Sequence, residues 1–425
     1  MKLFYTISIA FIALCFASCA TSIEDNQVVD KQIVDNQVTE VTGFASVGWQ
    51  NGATKVVTVT NAEDFKKYVS SGSYTVYVSG EIAITDKLPA SSSDNTNEAL
   101  NSFVAEKTEG KIKTWNDWKK QFALASTVTS NKKSNDEELN AYHSALVSAW
   151  QKEVVVNIAS DTVIIGLDGA VIKGGSLKIK NVSNVAIKNL TIQDAFDPFP
   201  HHEANDGWNA EYDCISIESS HNIYIDHCTL QDTISVGEEN FDHVREGDNS
   251  VEKWQTYDGL CDIKGSFYGV TVSNCHFKNH DKTMLVGSSD SEKFDGVRTL
   301  TLESNYFENC IQRLPMVRMT NVHAFNNYYN CTSLSSSYCI GVRYNCQIIA
   351  ENNYFGEGIK YSFSGNSSKQ GSVYMKGNID KSSKGEKSGQ FKTLTDLPFE
   401  LSYSYSLLDV ESLPSLIPQS AGASH

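Results

Sequence analysis

One short phrase of alternating apolar and polar positions recurs through the second half of the chain. It reads Val185-Ala186-Ile187-Lys188-Asn189-Leu190, then Ile223-Tyr224-Ile225-Asp226-His227-Cys228 and Val270-Thr271-Val272-Ser273-Asn274-Cys275. Three further copies start at Leu300, Val322 and Ile348, so the later spacings are 30, 22 and 26 residues. Apolar residues recur every second position, many of them β-branched, and no helical period separates the copies. That pattern predicts an all-β fold, a right-handed parallel β-helix in which each phrase is one strand of a new coil. The phrases that start at Leu300, Val322 and Ile348 end on Asn305, Asn327 and Asn353, each followed by an aromatic residue. In register, those amides would stack and hydrogen-bond along the solenoid. The same alignment puts Cys228 over Cys275 and Cys214 over Cys261, close enough for disulfides or for stacked free thiols.

Two segments break the pattern. Between Val76-Tyr77-Val78-Ser79-Gly80 and the next strand at Thr162, Trp115, Trp118 and Phe122 are followed by Leu139, Tyr142, Leu146 and Trp150. These spacings predict a helical insertion near residues 90–152, made of two amphipathic helices and read as a cap packed on the side of the solenoid in preference to a substrate-binding module. At the other break, residues 1–20 read as a signal peptide, with Lys2 before an apolar run from Ile7 to Phe16 and small residues after it. Phe16-Ala17-Ser18-Cys19 also fits a loose lipobox, so either ordinary secretion or an outer-surface lipoprotein anchored through Cys19 is expected. Residues 21–42 form a polar linker without proline or aromatic residues, and 43–425 the folded domain.

Charge narrows the partners. With 35 Lys and Arg against 51 Asp and Glu, the net charge is −16, which argues against nucleic acid or an anionic membrane surface. A polyanionic substrate stays compatible with this, because binding follows the field in a cleft rather than the total charge. No transmembrane segment is expected beyond the leader, and the chain is expected to act as a monomer.

Three motifs carry candidate chemistry. Tyr257-Asp258-Gly259-Leu260-Cys261-Asp262-Ile263-Lys264 places two carboxylates four apart on a strand, hence on one face, with Asp213 opening a similar run one coil earlier. Asn279-His280-Asp281-Lys282 follows, and then Gln312-Arg313-Leu314-Pro315-Met316-Val317-Arg318. Three or four converging carboxylates raise one another's pKa unless a cation binds. In this order the motifs resemble the pectate lyase family, secreted enzymes that cut polygalacturonate by calcium-assisted β-elimination. The resemblance covers most of the chain from about Gly43, the insertion apart. It implies that Asp213, Asp258 and Asp262 bind Ca2+, with Glu211 serving a further ion. It implies that Arg313 is the catalytic base and that Lys282, Arg318 and Lys264 bind substrate carboxylates. A guanidinium works as a base only when nearby positive charge promotes loss of its proton, which suggests an alkaline optimum. His227 and His280 are read as turn residues that position neighbours. Met316 stands where the family often has a basic residue.

Competing readings differ in one feature each. A pectin lyase acting on methyl-esterified polymer typically lacks the acidic cluster. A β-helical glycoside hydrolase needs paired acid and base carboxylates, and its motifs are missing. A non-catalytic glycan-binding β-helix has no need of the arginine, metal and lysine set.

Overall fold

The computed structural model describes residues 41–424 apart from 92, 93, 95, 126–135, 204–206, 235–239, 246, 247, 293 and 295. The leader, Cys19 and almost all of the polar linker lie outside the described residues. Three parallel sheets of 11, nine and eight strands stack coil on coil around one apolar interior, a right-handed parallel β-helix. The recurring phrases form the 11-stranded sheet in the predicted register: Val185 pairs with Ile223, Ile223 with Val270, Val270 with Leu300, Leu300 with Val322, and Val322 with Ile348.

Each phrase ends in the same way for a physical reason. Asn189, His227, Asn274, Ser304, Asn326 and Asn352 adopt left-handed backbone, with φ between 46° and 58°, and turn the chain out of the sheet. Asparagine tolerates this region better than most side chains. The next residue then points inward as a rung. Asn305 Nδ2 donates to Asn327 Oδ1 at 3.0 Å, Asn327 Nδ2 to Asn353 Oδ1 at 2.9 Å, and Asn353 Nδ2 to Asn378 Oδ1 at 3.0 Å. The ladder therefore has one rung more than the sequence suggested. Beside it Phe277, Phe307, Tyr329 and Phe355 stack with ring centroids 4.8 to 4.9 Å apart, the spacing of neighbouring strands.

The cysteines are unpaired and buried at all eight described positions. Cys228 and Cys275 are neighbours, the Cys228 amide lying 3.4 Å from the Cys275 sulfur. The other alignment is off by one residue: Cys261 pairs with Ile215, not with Cys214. Cys214 occupies the bend before the strand, where strict alternation has not yet begun. Ile215 and Cys261 both face inward, so Ser216 and Asp262 point to the outer face as a pair, and the expected orientation of Asp262 stands on this corrected register, although the side chain is buried there.

Among the described residues the insertion holds three helices rather than two: Glu98–Lys107, Trp115–Ala125 and Glu137–Val154. The first escaped notice because it buries only Leu100, Phe103 and Val104. They pack on the loop between Asp194 and Asp213, where Trp115 Nε1 donates to Pro198 O at 2.8 Å and Trp150 Nε1 to Phe196 O at 3.0 Å. Helix Glu137–Val154 runs straight into Val155–Ile158, the edge strand of the eight-stranded sheet. Among the described residues no helix is long and apolar enough to cross a membrane.

Both ends of the domain lie across the outer face of the 11-stranded sheet. Thr42, Phe44, Ala45 and Val47 bond in turn to Glu303, Thr301, Thr271 and Asn222, which belong to three successive coils. The C-terminal segment also runs toward the earlier coils, from Tyr405 on Glu351 through Leu408 on Asn326 and Gly422 on Asn274 to Ser424 on Asn189.

Candidate active site

The outer face of the eight-stranded sheet gathers the motif residues. Asp262 lies on strand Cys261–Lys264, Asp258 on the approach to it, and Asp213 on the approach to the neighbouring strand Ile215–Glu218. One oxygen of each lies within 4.8 Å of the others. Backbone geometry fixes them: the Gly259 amide donates to Asp213 Oδ1 at 3.0 Å and the Leu285 amide to Asp262 Oδ1 at 2.9 Å. Only glycine fits at 259, since a Cβ there would stand 2.5 Å from Asp262 Oδ1 and 2.8 Å from Asp213 Oδ1. His280 clamps the third member, one ring nitrogen lying 3.0 Å from Asp258 O and the other 2.6 Å from Asp232 Oδ2. His280 is thus buried and positions a neighbour, whereas His227 sits away from the cluster against Asp226.

Asp213 and Asp262 are only 2% exposed, and their electrostatics follow from that. Burial, then the Asp262 and Asp258 charges, push the Asp213 carboxyl well above the usual carboxylate range. Burial and the Asp258 charge push Asp262 up to about 6. Burial also works against Asp258, yet the charge and hydrogen bond of Lys282 at 3.0 Å outweigh it and hold this carboxyl below its ordinary value. Lys264 reaches Asp213 at 3.7 Å and Asp262 at 3.9 Å. Burial would lower its ammonium, but the three carboxylates outweigh that and hold it above its ordinary value. Three converging carboxylates of hard oxygen, two of them strained by burial and mutual repulsion, fit a divalent cation of the calcium type.

The cationic members come from the following coils. Lys282 ends strand His276–Lys282 and also donates to Asn209 Oδ1 at 2.6 Å and Gln255 Oε1 at 3.0 Å. Arg313 sits in the turn between Tyr306–Gln312 and Met316–Val317 with φ of 60°, a conformation uncommon for an arginine. Its carbonyl accepts from the Met284 amide at 2.8 Å, and the Leu314 amide donates to Cys339 O at 2.8 Å, so the turn is held from both sides. Its guanidinium makes no hydrogen bond or ion pair among the described residues, although its charge acts on Asp258 and Asp262. The pinned turn thus holds an uncommitted cation beside the carboxylates. Arg318 faces outward from the same coil, its Nε 3.0 Å from Asp290 Oδ1 and its Nη1 3.1 Å from Gly287 O.

Glu211 is not gathered in. Its carboxylate pairs with His201 Nδ1 at 2.7 Å and lies outside the three-aspartate group. The sequence does not mark Asn209 and Gln255, which hold Lys282; Asn209 ends the short strand Gly207–Asn209 and Gln255 lies just past Asp248–Lys253, and no local spacing points to either.

The profile of the family described as Pectate lyase matches residues 120–425. Pectate lyase E of Dickeya chrysanthemi is 38% identical over 208 residues, which cover 47% of this chain and 50% of that protein. The chain thus spans about half the length of the curated relatives it matches. A solved Bacillus subtilis pectate lyase variant superimposes with a TM-score of 0.69 at 25% identity, covering 90% of this chain and 96% of the other. A pectate lyase bound to a hexasaccharide does so with a TM-score of 0.68 at 25% identity and the same coverage. The matched profile takes in the carboxylate cluster, both lysines and both arginines, and this chain belongs to the pectate lyase family.

Proposed function

We propose that the protein is a secreted pectate lyase, cleaving α-1,4-linked polygalacturonate by calcium-assisted β-elimination to 4,5-unsaturated oligogalacturonides. The observation that carries this reading is the juxtaposition of Asp213, Asp258 and Asp262 within 4.8 Å of one another beside the uncommitted Arg313. The hexasaccharide bound by a structural relative supports an oligosaccharide in this groove.

In the elimination the C5–H bond breaks, its electron pair forms the C4–C5 double bond, and the C4–O bond breaks with the pair leaving on oxygen. Arg313 takes the C5 proton, and water returns one to the departing oxygen. Asp213, Asp258 and Asp262 are the residues that would hold calcium, Glu211 being set apart by its pairing with His201. Calcium there would supply positive charge to the uronate carboxylate and so acidify C5. Lys264, Lys282 and Arg318 add donors along the same face and fix the sugar's orientation. Lys282 is preset for this by Asn209 and Gln255.

The test is ultraviolet absorbance of the unsaturated product on polygalacturonate, with chelator and with calcium restored. Product that forms only with calcium supports the reading. Full activity in excess chelator would move the assignment to a pectin lyase, and no product under any condition would leave a glycan-binding β-helix. Export is part of the proposal too, as free secretion or anchoring through Cys19, and the N-terminus and lipid content of the mature protein distinguish these routes.

A further inference from the structure

The groove does not end at the carboxylate cluster. A cleft of about 330 Å³ continues from Asp213 and Lys264 past Ser216 and Glu218 to Val147 and Gln151 on the inserted helix Glu137–Val154. A second space of about 430 Å³ adjoins it, sharing Val147 and Glu211, and is lined further along the helix by Asn140, Ser144 and Ser148. Asn140, Ser144, Val147, Ser148 and Gln151 recur at helical spacing and so form a single face. Its side chains are uncharged, and all are exposed or half-exposed.

The two arms of the groove differ in charge. Toward Arg313 the outer face carries Arg318 and then Arg343, one on each successive coil, since the Arg343 amide bonds to Val317 O and the Arg318 amide to Val286 O. Toward the helix, Lys178 and Lys180 share Glu218 at 3.8 and 2.7 Å, and Glu211 adds another carboxylate. A free uronate carboxylate in this second arm would meet lysines already paired with carboxylates, Lys178 and Lys180 with Glu218 and Lys264 with Asp213 and Asp262, and beyond them a neutral helix. An uncharged sugar would meet hydroxyls, an amide and a methyl-bearing surface, which suit hydrogen bonding and packing without desolvating a charge.

We propose that this helix face is a binding wall for uncharged sugar units of the pectin chain, either methyl-esterified galacturonate or a neutral sugar, lying beyond the carboxylate cluster. The inference rests on the lyase reading above and adds a specificity to it: free uronate on the arginine side, uncharged units on the helix side. The insertion then selects partly esterified or interrupted substrate instead of serving only as a cap.

Steady-state kinetics on polygalacturonate, on pectins of stepped methyl esterification and on rhamnose-interrupted oligogalacturonides test this with wild type, Gln151→Lys, Ser148→Lys and Ala145→Lys. Ala145 is exposed on a different face of the same helix and controls for added charge. A lysine on the wall should lower KM for polygalacturonate and raise it for uncharged units, shifting the KM ratio by about fivefold or more, while Ala145→Lys stays at the wild-type ratio. A shift with esterified pectin assigns the wall to the ester, and one with the interrupted oligomer assigns it to the neutral sugar. If wild type cleaves polygalacturonate and no wall variant moves either ratio, the inference is overturned and the lyase reading survives. If no variant and no wild type cleaves any substrate, the lyase reading itself has failed.

Discussion

Removing calcium at different pH values probes the cluster most directly. Consider Asp262, moved from 3.8 to about 6 by burial and the Asp258 charge. Its folded pKa is raised, so its contribution to stability is fully present below about 4 and is lost as pH rises through about 6. At 1.36 kcal/mol per pKa unit, the chelated protein should lose about 3 kcal/mol across that window from this group alone. Asp213 moves in the same direction and deepens the loss. Asp258 runs the other way: held low chiefly by Lys282, it contributes stability that is lost only as pH falls below its ordinary range. Calcium competes with the proton on Asp262, so its apparent affinity should fall about tenfold between pH 7.5 and pH 5. At 100 times its dissociation constant it should return about 2.7 kcal/mol to the folded state. Calorimetric titration at both pH values, with chemical unfolding in chelator and in calcium, measures each quantity. Equal affinity at pH 5 and 7.5, or Asp262→Asn binding calcium as wild type does, would refute the electrostatic account.

Arg313→Lys should cut kcat by two orders of magnitude or more with calcium affinity unchanged, because lysine keeps the charge but loses the fork and its reach; retention of most of kcat would leave the base unassigned and make Lys282 the next candidate. Arg318→Lys should raise KM several-fold with a smaller effect on kcat, read in the same assay. Gly259→Ala should abolish high-affinity calcium binding in titration and also lower the melting temperature in chelator, since its Cβ would intrude between the buried Asp213 and Asp262. Asn327→Ala strands the buried Asn305 amide and side-chain nitrogen and should cost about 3–5 kcal/mol in chemical unfolding. A loss under about 1 kcal/mol would mean that water or a shifted rung replaces the lost acceptor.

The repeating part of the fold was legible because the coils make like demands at like places: alternating β-branched residues, a left-handed turn residue and an inward-pointing one, which is an amide in the later coils. Where one demand was met differently, the reading slipped. Asn378 went unnoticed as a rung because Gly377, not asparagine, makes the preceding left-handed turn. Cys214 was aligned one residue out because it precedes its strand, where no alternation constrains it. The aspartates and arginines were visible because their spacing follows strand geometry and a family motif. Asn209 and Gln255 were not, because they belong to excursions outside the repeating coils and meet Lys282 across 73 and 27 residues of chain. Helix Glu137–Val154 was foreseen as structure, but nothing in its own sequence shows that it borders the groove.

A stack of like coils, each touching only the next, is prone to unzip from either end. The two terminal straps change that. The N-terminal segment stitches three coils together, and the C-terminal one crosses from Glu351 back to Asn189, so an end coil cannot peel away while its strap stays bound to coils deeper in the stack. Freed at either terminus, the solenoid would come apart coil by coil; laced at both, it is built to yield as a block, and a protease must cut a strap before it finds a loose end.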